Sequence, residues 1–96
     1  MTDLCDEVEK LGKGIGNANR YRILEVLMKG PQTVTHIVKK VELSQPAVSQ
    51  HLKTLKDYNL VTDNKDGQEV YYSINVAHTT KLLTLLVSSL NKKKKQ

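Results

Sequence analysis

The chain lacks tryptophan and phenylalanine altogether, and it has a single cysteine, Cys5, and only two prolines. Four tyrosines are its only aromatics, so its core must be aliphatic, built from Leu, Val and Ile. One thiol excludes an internal disulfide framework. No stretch approaches the roughly 20 apolar residues that a membrane-spanning helix needs. The opening Met-Thr-Asp-Leu-Cys-Asp-Glu is acidic where a secretory signal is basic and then apolar. These absences predict a cytoplasmic protein with no membrane partner. Also missing are a glycine-rich phosphate loop, a paired acid–base constellation and any Ser/His/Asp set that so short a chain could assemble. Their absence argues against an enzyme, and no cofactor is expected.

The 96 residues accommodate one domain, expected over 1–91, followed by a basic tail over 92–96 expected to be disordered. A domain this small buries only about two-thirds of its unfolded surface, so a dimer interface would contribute substantially. The net charge of +5 points to a polyanionic partner, but Lys92 to Lys95 supply four of those charges and leave +1 for the rest. A terminal lysine run is commonly a solvated tail. Position therefore says more than bulk charge.

Leu4, Val8, Leu11 and Ile15 recur at helical spacing and predict an N-terminal helix, which Gly12, Gly14 and Gly16 should end. Asn17 can cap a second helix with a core face of Ile23, Leu24, Leu27 and Met28, closed by Gly30-Pro31. Thr33 can cap a third, in which Val34, Ile37, Val38 and Val41 share one face. After the short connection Glu42-Leu43, Ser44 can cap a fourth, with Pro46 in its first turn and Val48, Leu52 and Leu55 as the buried stripe. Two short helices joined so tightly predict a helix-turn-helix. Leu60 to Thr62 and Val70 to Ile74 are rich in β-formers, with Asp66-Gly67 between them as a hairpin turn and Val70, Tyr72 and Ile74 on one face. Asn75 can cap a last helix. Its Leu82, Leu83, Leu85, Leu86, Val87 and Leu90 are broad enough to face both the core and another chain. The predicted fold is mainly α with a small β-hairpin: a winged helix-turn-helix with dimerisation helices at both ends.

With Val48 inward, the fourth helix turns Pro46, Ser49, Gln50, Lys53, Thr54 and Asp57 outward, flanked by Gln45 and Lys56. Short hydroxyls and amides reach base edges in a major groove, and lysines meet phosphates. The helix N-terminus usually makes the base contacts, which favours Gln45, Ser49 and Gln50. Ser44 and the free N–H groups behind it can hold a phosphate. Arg22, Lys39, Lys40, Lys53 and Lys56 are further candidates for phosphate, as is Arg20 unless it makes a structural ion pair. The blander reading is an ordinary polar face, which any amphipathic helix has.

The string Leu43-Ser44-Gln45-Pro46-Ala47-Val48-Ser49-Gln50-His51-Leu52-Lys53-Thr54-Leu55 resembles the recognition helix of the ArsR/SmtB family of bacterial repressors. Arg20-Tyr21-Arg22-Ile23-Leu24 resembles that family's second-helix signature, and Gly67-Gln68-Glu69-Val70-Tyr71-Tyr72-Ser73-Ile74 resembles its wing. The resemblance covers roughly residues 17 to 75. It implies a homodimer formed by the first and last helices, a double-stranded DNA operator, and repression relieved by a metal or another signal. A regulator of transcription with a palindromic operator is the expected function. The alternative is a winged-helix protein-interaction module without specific DNA binding.

The sequence departs from the family in two places. Asp63, Lys65, Asp66 and Glu69 give the wing more acid than base, leaving Lys65 as its one obvious DNA contact. The family's Cys-x-Cys signature is absent from Thr33-Val34-Thr35-His36-Ile37, and on the last helix only His78 matches a ligand, with Val76, Ser89 and Lys92 where others are sought. No metal site is therefore expected, and His36, His51 and His78 read as exposed, packed and helix-start residues. Cys5 is either a small helix residue or a redox link to Cys5 of a second copy.

Overall fold

The computed structural model describes the backbone of residues 4–94 and the side chains through residue 91. The order is α1 (Leu4–Ile15), α2 (Ala18–Leu27), α3 (Val34–Val41), α4 (Gln45–Asp57), β1 (Val61–Asp66), β2 (Glu69–Ile74) and α5 (Val76–Lys94). All four expected N-caps form. Asn17 accepts from Arg20 N at 3.0 Å, Thr33 from His36 N at 3.3 Å, Ser44 from Ala47 N at 3.2 Å and Asn75 from His78 N at 3.2 Å. Each satisfies an N–H that has no partner inside its helix.

The core is aliphatic. Ile23, Leu24 and Leu27 of α2, Ile37 and Val41 of α3 and Val48, Leu52 and Leu55 of α4 close it, together with Leu11, Leu60, Val61 and Leu82. α1 packs on α2 and α5, and no polar side chain among the described residues is fully buried. Met28, expected on the core face, is 61% exposed because α2 ends at Leu27 and Met28 already lies in its cap.

α1 runs through Gly12 and Gly14 to Ile15 and ends before Gly16, within the glycine run that composition marks as its end. Gly14 is buried, and a Cβ there would collide with Leu60 Cδ1. Here glycine serves close packing, and tertiary contact overrides its low helix propensity. At the end of α4, Asn59 takes a left-handed φ of 64°. Leu60 N then donates to Leu55 O and Asn59 N to Lys56 O, both at 2.9 Å. This paired closure directs the chain into β1.

β1 and β2 pair antiparallel from Val61↔Ile74 to Asp66↔Glu69, so the two-residue turn is Gly67-Gln68, one residue later than expected. Gly67 has φ 66°, which a tight hairpin requires. Tyr72 and Ile74 pack on the core, but Val70 is 37% exposed because the wing projects beyond the helices by that point. Gln32 adds a bridge unforeseen in the sequence, exchanging hydrogen bonds with Tyr72 at 3.0 and 2.8 Å. α5 continues as backbone through Lys94; the lysine side chains and residues 95–96 of the expected tail lie outside the described residues.

Candidate nucleic-acid interface

Ser44, Gln45, Ser49, Gln50, Lys53 and Lys56 line the solvent side of α4 and its cap, opposite the buried Val48, Leu52 and Leu55. Thr54 is only half exposed, so it lies at the margin of that surface. Pro46 occupies the first turn, where a missing N–H costs nothing. Glu42, the C-cap of α3, adopts a left-handed φ of 57° and turns the chain sharply into Ser44. That turn sets the angle at which α4 presents its polar face.

The lysines of this face are partnered. Lys53 Nζ lies 3.3 Å from Asp57 Oδ2, and Lys56 Nζ lies 2.9 Å from Asp63 Oδ2 on β1. The hydrogen bond from Lys56 to Asp63, with the charge of that carboxylate, raises the Lys56 pKa above its ordinary value. Lys39 and Lys40 are exposed in the last turn of α3. Arg22 and Lys40 border an open cleft of about 450 Å³ together with Lys29 and Glu25. Lys65 is exposed on the wing, across from Val70.

Arg20 is half-buried and its guanidinium is engaged by α1. Its Nη2 donates to Lys13 O at 2.8 Å and its Nε to Gly14 O at 3.3 Å, capping the end of α1. It is structural as the sequence allowed, though its partners are carbonyls and not an acid. His51 is half-buried, and desolvation, then the charge of Arg20, lowers its pKa. His36 is exposed. His78 Nε2 lies 3.0 Å from Glu7 Oε2, tying α5 to α1, although the two atoms are not aligned as a hydrogen bond. No group of three metal-ligating side chains occurs among the described residues. Cys5 is exposed on α1.

A second surface is apolar. Leu83, Val87 and Leu90 of α5 are 49%, 55% and 67% exposed at i, i+4 and i+7. Next to them Leu11, Ile15, Tyr21, Met28 and Leu83 line a cavity of about 220 Å³ between α1, α2 and α5. Exposed apolar surface of this kind is uncommon on a monomer.

Residues 17–63 match the arsR family of bacterial regulatory proteins. The chain is 31% identical over 80 residues to the transcriptional repressor SdpR of Bacillus subtilis, covering 83% of this chain and 89% of that one. It is 32% identical over 85 residues to the arsenical resistance operon repressor of Staphylococcus aureus, covering 88% and 78%. Its structure resembles that of a homodimeric winged helix-turn-helix DNA-binding domain from Mycobacterium bovis. The TM-score there is 0.75 and the identity 26%, over 99% of this chain and 92% of that one. Its five helices, two-stranded wing and α3–α4 turn agree with these likenesses, and the chain belongs to the arsR family of bacterial regulatory proteins, with a winged helix-turn-helix fold.

Proposed function

We propose that the protein is a homodimeric repressor that binds a palindromic double-stranded DNA operator. The observation that carries this reading is the α4 face: Gln45, Ser49 and Gln50 are exposed together at the N-terminal half of a helix whose other side is locked in the core. A helix so anchored can enter a major groove without rearrangement. Gln50 and Gln45 then read base edges and Ser49 supports them, while the Ser44 end of the helix holds a phosphate. Arg22, Lys39, Lys40, Lys53, Lys56 and Lys65 are backbone contacts that set register.

The exposed apolar stripe of α5 and the adjoining part of α1 form the dimer interface. Two α4 helices related by a two-fold axis then reach successive major grooves about 34 Å apart, and the bound dimer excludes RNA polymerase. The absence of a Cys-x-Cys pair from Thr33 to Ile37 favours an inducer other than a metal. Cys5 is the candidate for a redox signal.

The test is fluorescence-anisotropy binding to the DNA upstream of its own gene, against a scrambled duplex, across a salt series. Tight, salt-sensitive binding to the first alone supports an operator-binding regulator. The exposed acidic wing favours a second reading, a protein-interaction module. Selection from random duplexes that returns no motif would favour it.

A further inference from the structure

The lysines on the α4 face come with built-in counter-ions. The Lys53–Asp57 pair is local, one helical turn apart; the Lys56–Asp63 pair joins the last turn of α4 to the base of the wing. Neither pair is placed to hold the fold together. The lysine side chains are 70% and 51% exposed, and exposed ion pairs contribute little to stability. What they change is the availability of the charge. To meet a phosphate, each lysine must first give up a carboxylate or share itself with one. A carboxylate left a few ångströms from DNA then repels it.

Sequence-independent attachment to DNA comes almost wholly from cations that displace condensed counterions. A lysine already neutralised by its own protein displaces less. Base readout by amides and hydroxyls is not weakened in the same way, because those groups carry no charge. We infer that Asp57 and Asp63 are specificity-determining residues, which suppress attachment to the phosphodiester backbone and leave discrimination to Gln45, Ser49 and Gln50. This rests on the DNA-binding reading above. The rest of the wing fits it, since Asp66 and Glu69 are exposed on the same hairpin and add no backbone affinity. The Asp63 hydrogen bond raises the Lys56 pKa, further favouring a charged form that a lysine already holds at neutral pH.

The experiment measures anisotropy with a scrambled duplex across a salt series, for the full chain and for Asp57→Asn and Asp63→Asn. Both substitutions preserve shape and remove the charge. Each variant is expected to bind the scrambled duplex more tightly. The slope of log affinity against log salt steepens by up to about 0.9 per lysine released. A fourfold rise in salt then costs the variant about 3.5-fold more affinity than it costs the parent. In a Lys56→Gln background Asp63→Asn is expected to change nothing. Unchanged slopes overturn the inference. Equal steepening by Glu69→Gln, or by Asp63→Asn without Lys56, also overturns it, since either would mean a uniform charge effect. The lysine Nζ resonance of Lys56 in DNA-free protein gives a separate readout. An unpaired Lys56 there overturns the inference and leaves the DNA-binding reading standing. A parent protein that binds no duplex at any salt overturns that reading, and the inference with it.

Discussion

The guanidinium of Arg20 on α2 donates from Nη2 to the carbonyl of Lys13, 2.8 Å away in the last turn of α1. A charged donor thus closes a helix end whose carbonyls have no partner within the helix, where a cation also suits the helix dipole. Arg20→Ala is expected to cost about 1 to 2 kcal/mol, a fall in Tm of about 5 to 10 °C at fixed protein concentration. The salt slope of DNA binding should not change. A shallower slope with an unchanged Tm would instead make Arg20 a phosphate contact.

The glycines of α1 should respond in opposite directions. Gly14→Ala places a methyl against Leu60 Cδ1 and is expected to destabilise by about 1 to 2 kcal/mol. A methyl on Gly12 would meet nothing within 4 Å, so Gly12→Ala is expected to stabilise by about 0.5 to 1 kcal/mol through helix propensity. Denaturant midpoints of the two variants decide this. A destabilising Gly12→Ala would place that face of α1 against a second copy.

The exposed stripe of α5 predicts an oligomer that charge can break. Val87→Glu, between Leu83 and Leu90, is expected to shift the protein from dimer to monomer in sedimentation equilibrium. Affinity for a two-half-site duplex should fall with it. Retention of the dimer would move the interface elsewhere.

Acid should weaken the fold through His51. Its pKa is lowered in the folded state, first by desolvation and then by Arg20. The unfolded chain therefore binds that proton more readily. The contribution is fully present above the ordinary value of 6.5 and is lost as pH falls below it, through the lowered folded pKa. His51→Gln should remove this part of the slope of unfolding free energy against pH. An unaltered slope would assign the acid sensitivity to other groups.

On α4, Gln50→Ala is expected to relax base preference at one operator position, by about 1 to 3 kcal/mol of discrimination. Lys53→Ala should instead weaken all sequences alike. Competition binding against single-base operator variants separates the two. A uniform loss from Gln50→Ala would remove it from the base-reading set.

Much of this architecture could be read along the chain because its signals are local. Asn17, Thr33, Ser44 and Asn75 each cap the helix that follows, since a side-chain oxygen near the first free N–H groups depends on only a few residues. The stripe Val48, Leu52 and Leu55 likewise fixes which side of α4 faces solvent, so the exposure of Gln45, Ser49 and Gln50 followed from spacing. Spacing was a poorer guide at the ends of elements: Met28 is 61% exposed because α2 ends at Leu27, and Val70 is 37% exposed although it alternates with Tyr72 and Ile74.

The aliphatic core, the helix starts, the helix-turn-helix and the polar face of α4 all follow from periodicity and capping within a few residues of chain. The partners of the charges, by contrast, are set by the packing of whole elements. Arg20 finds the carbonyls of α1, Lys56 finds Asp63 seven residues on, Glu7 finds His78 across the fold, and Gln32 finds Tyr72. Long charged side chains can turn toward several neighbours, and which one lies within 3 or 4 Å depends on how whole elements pack.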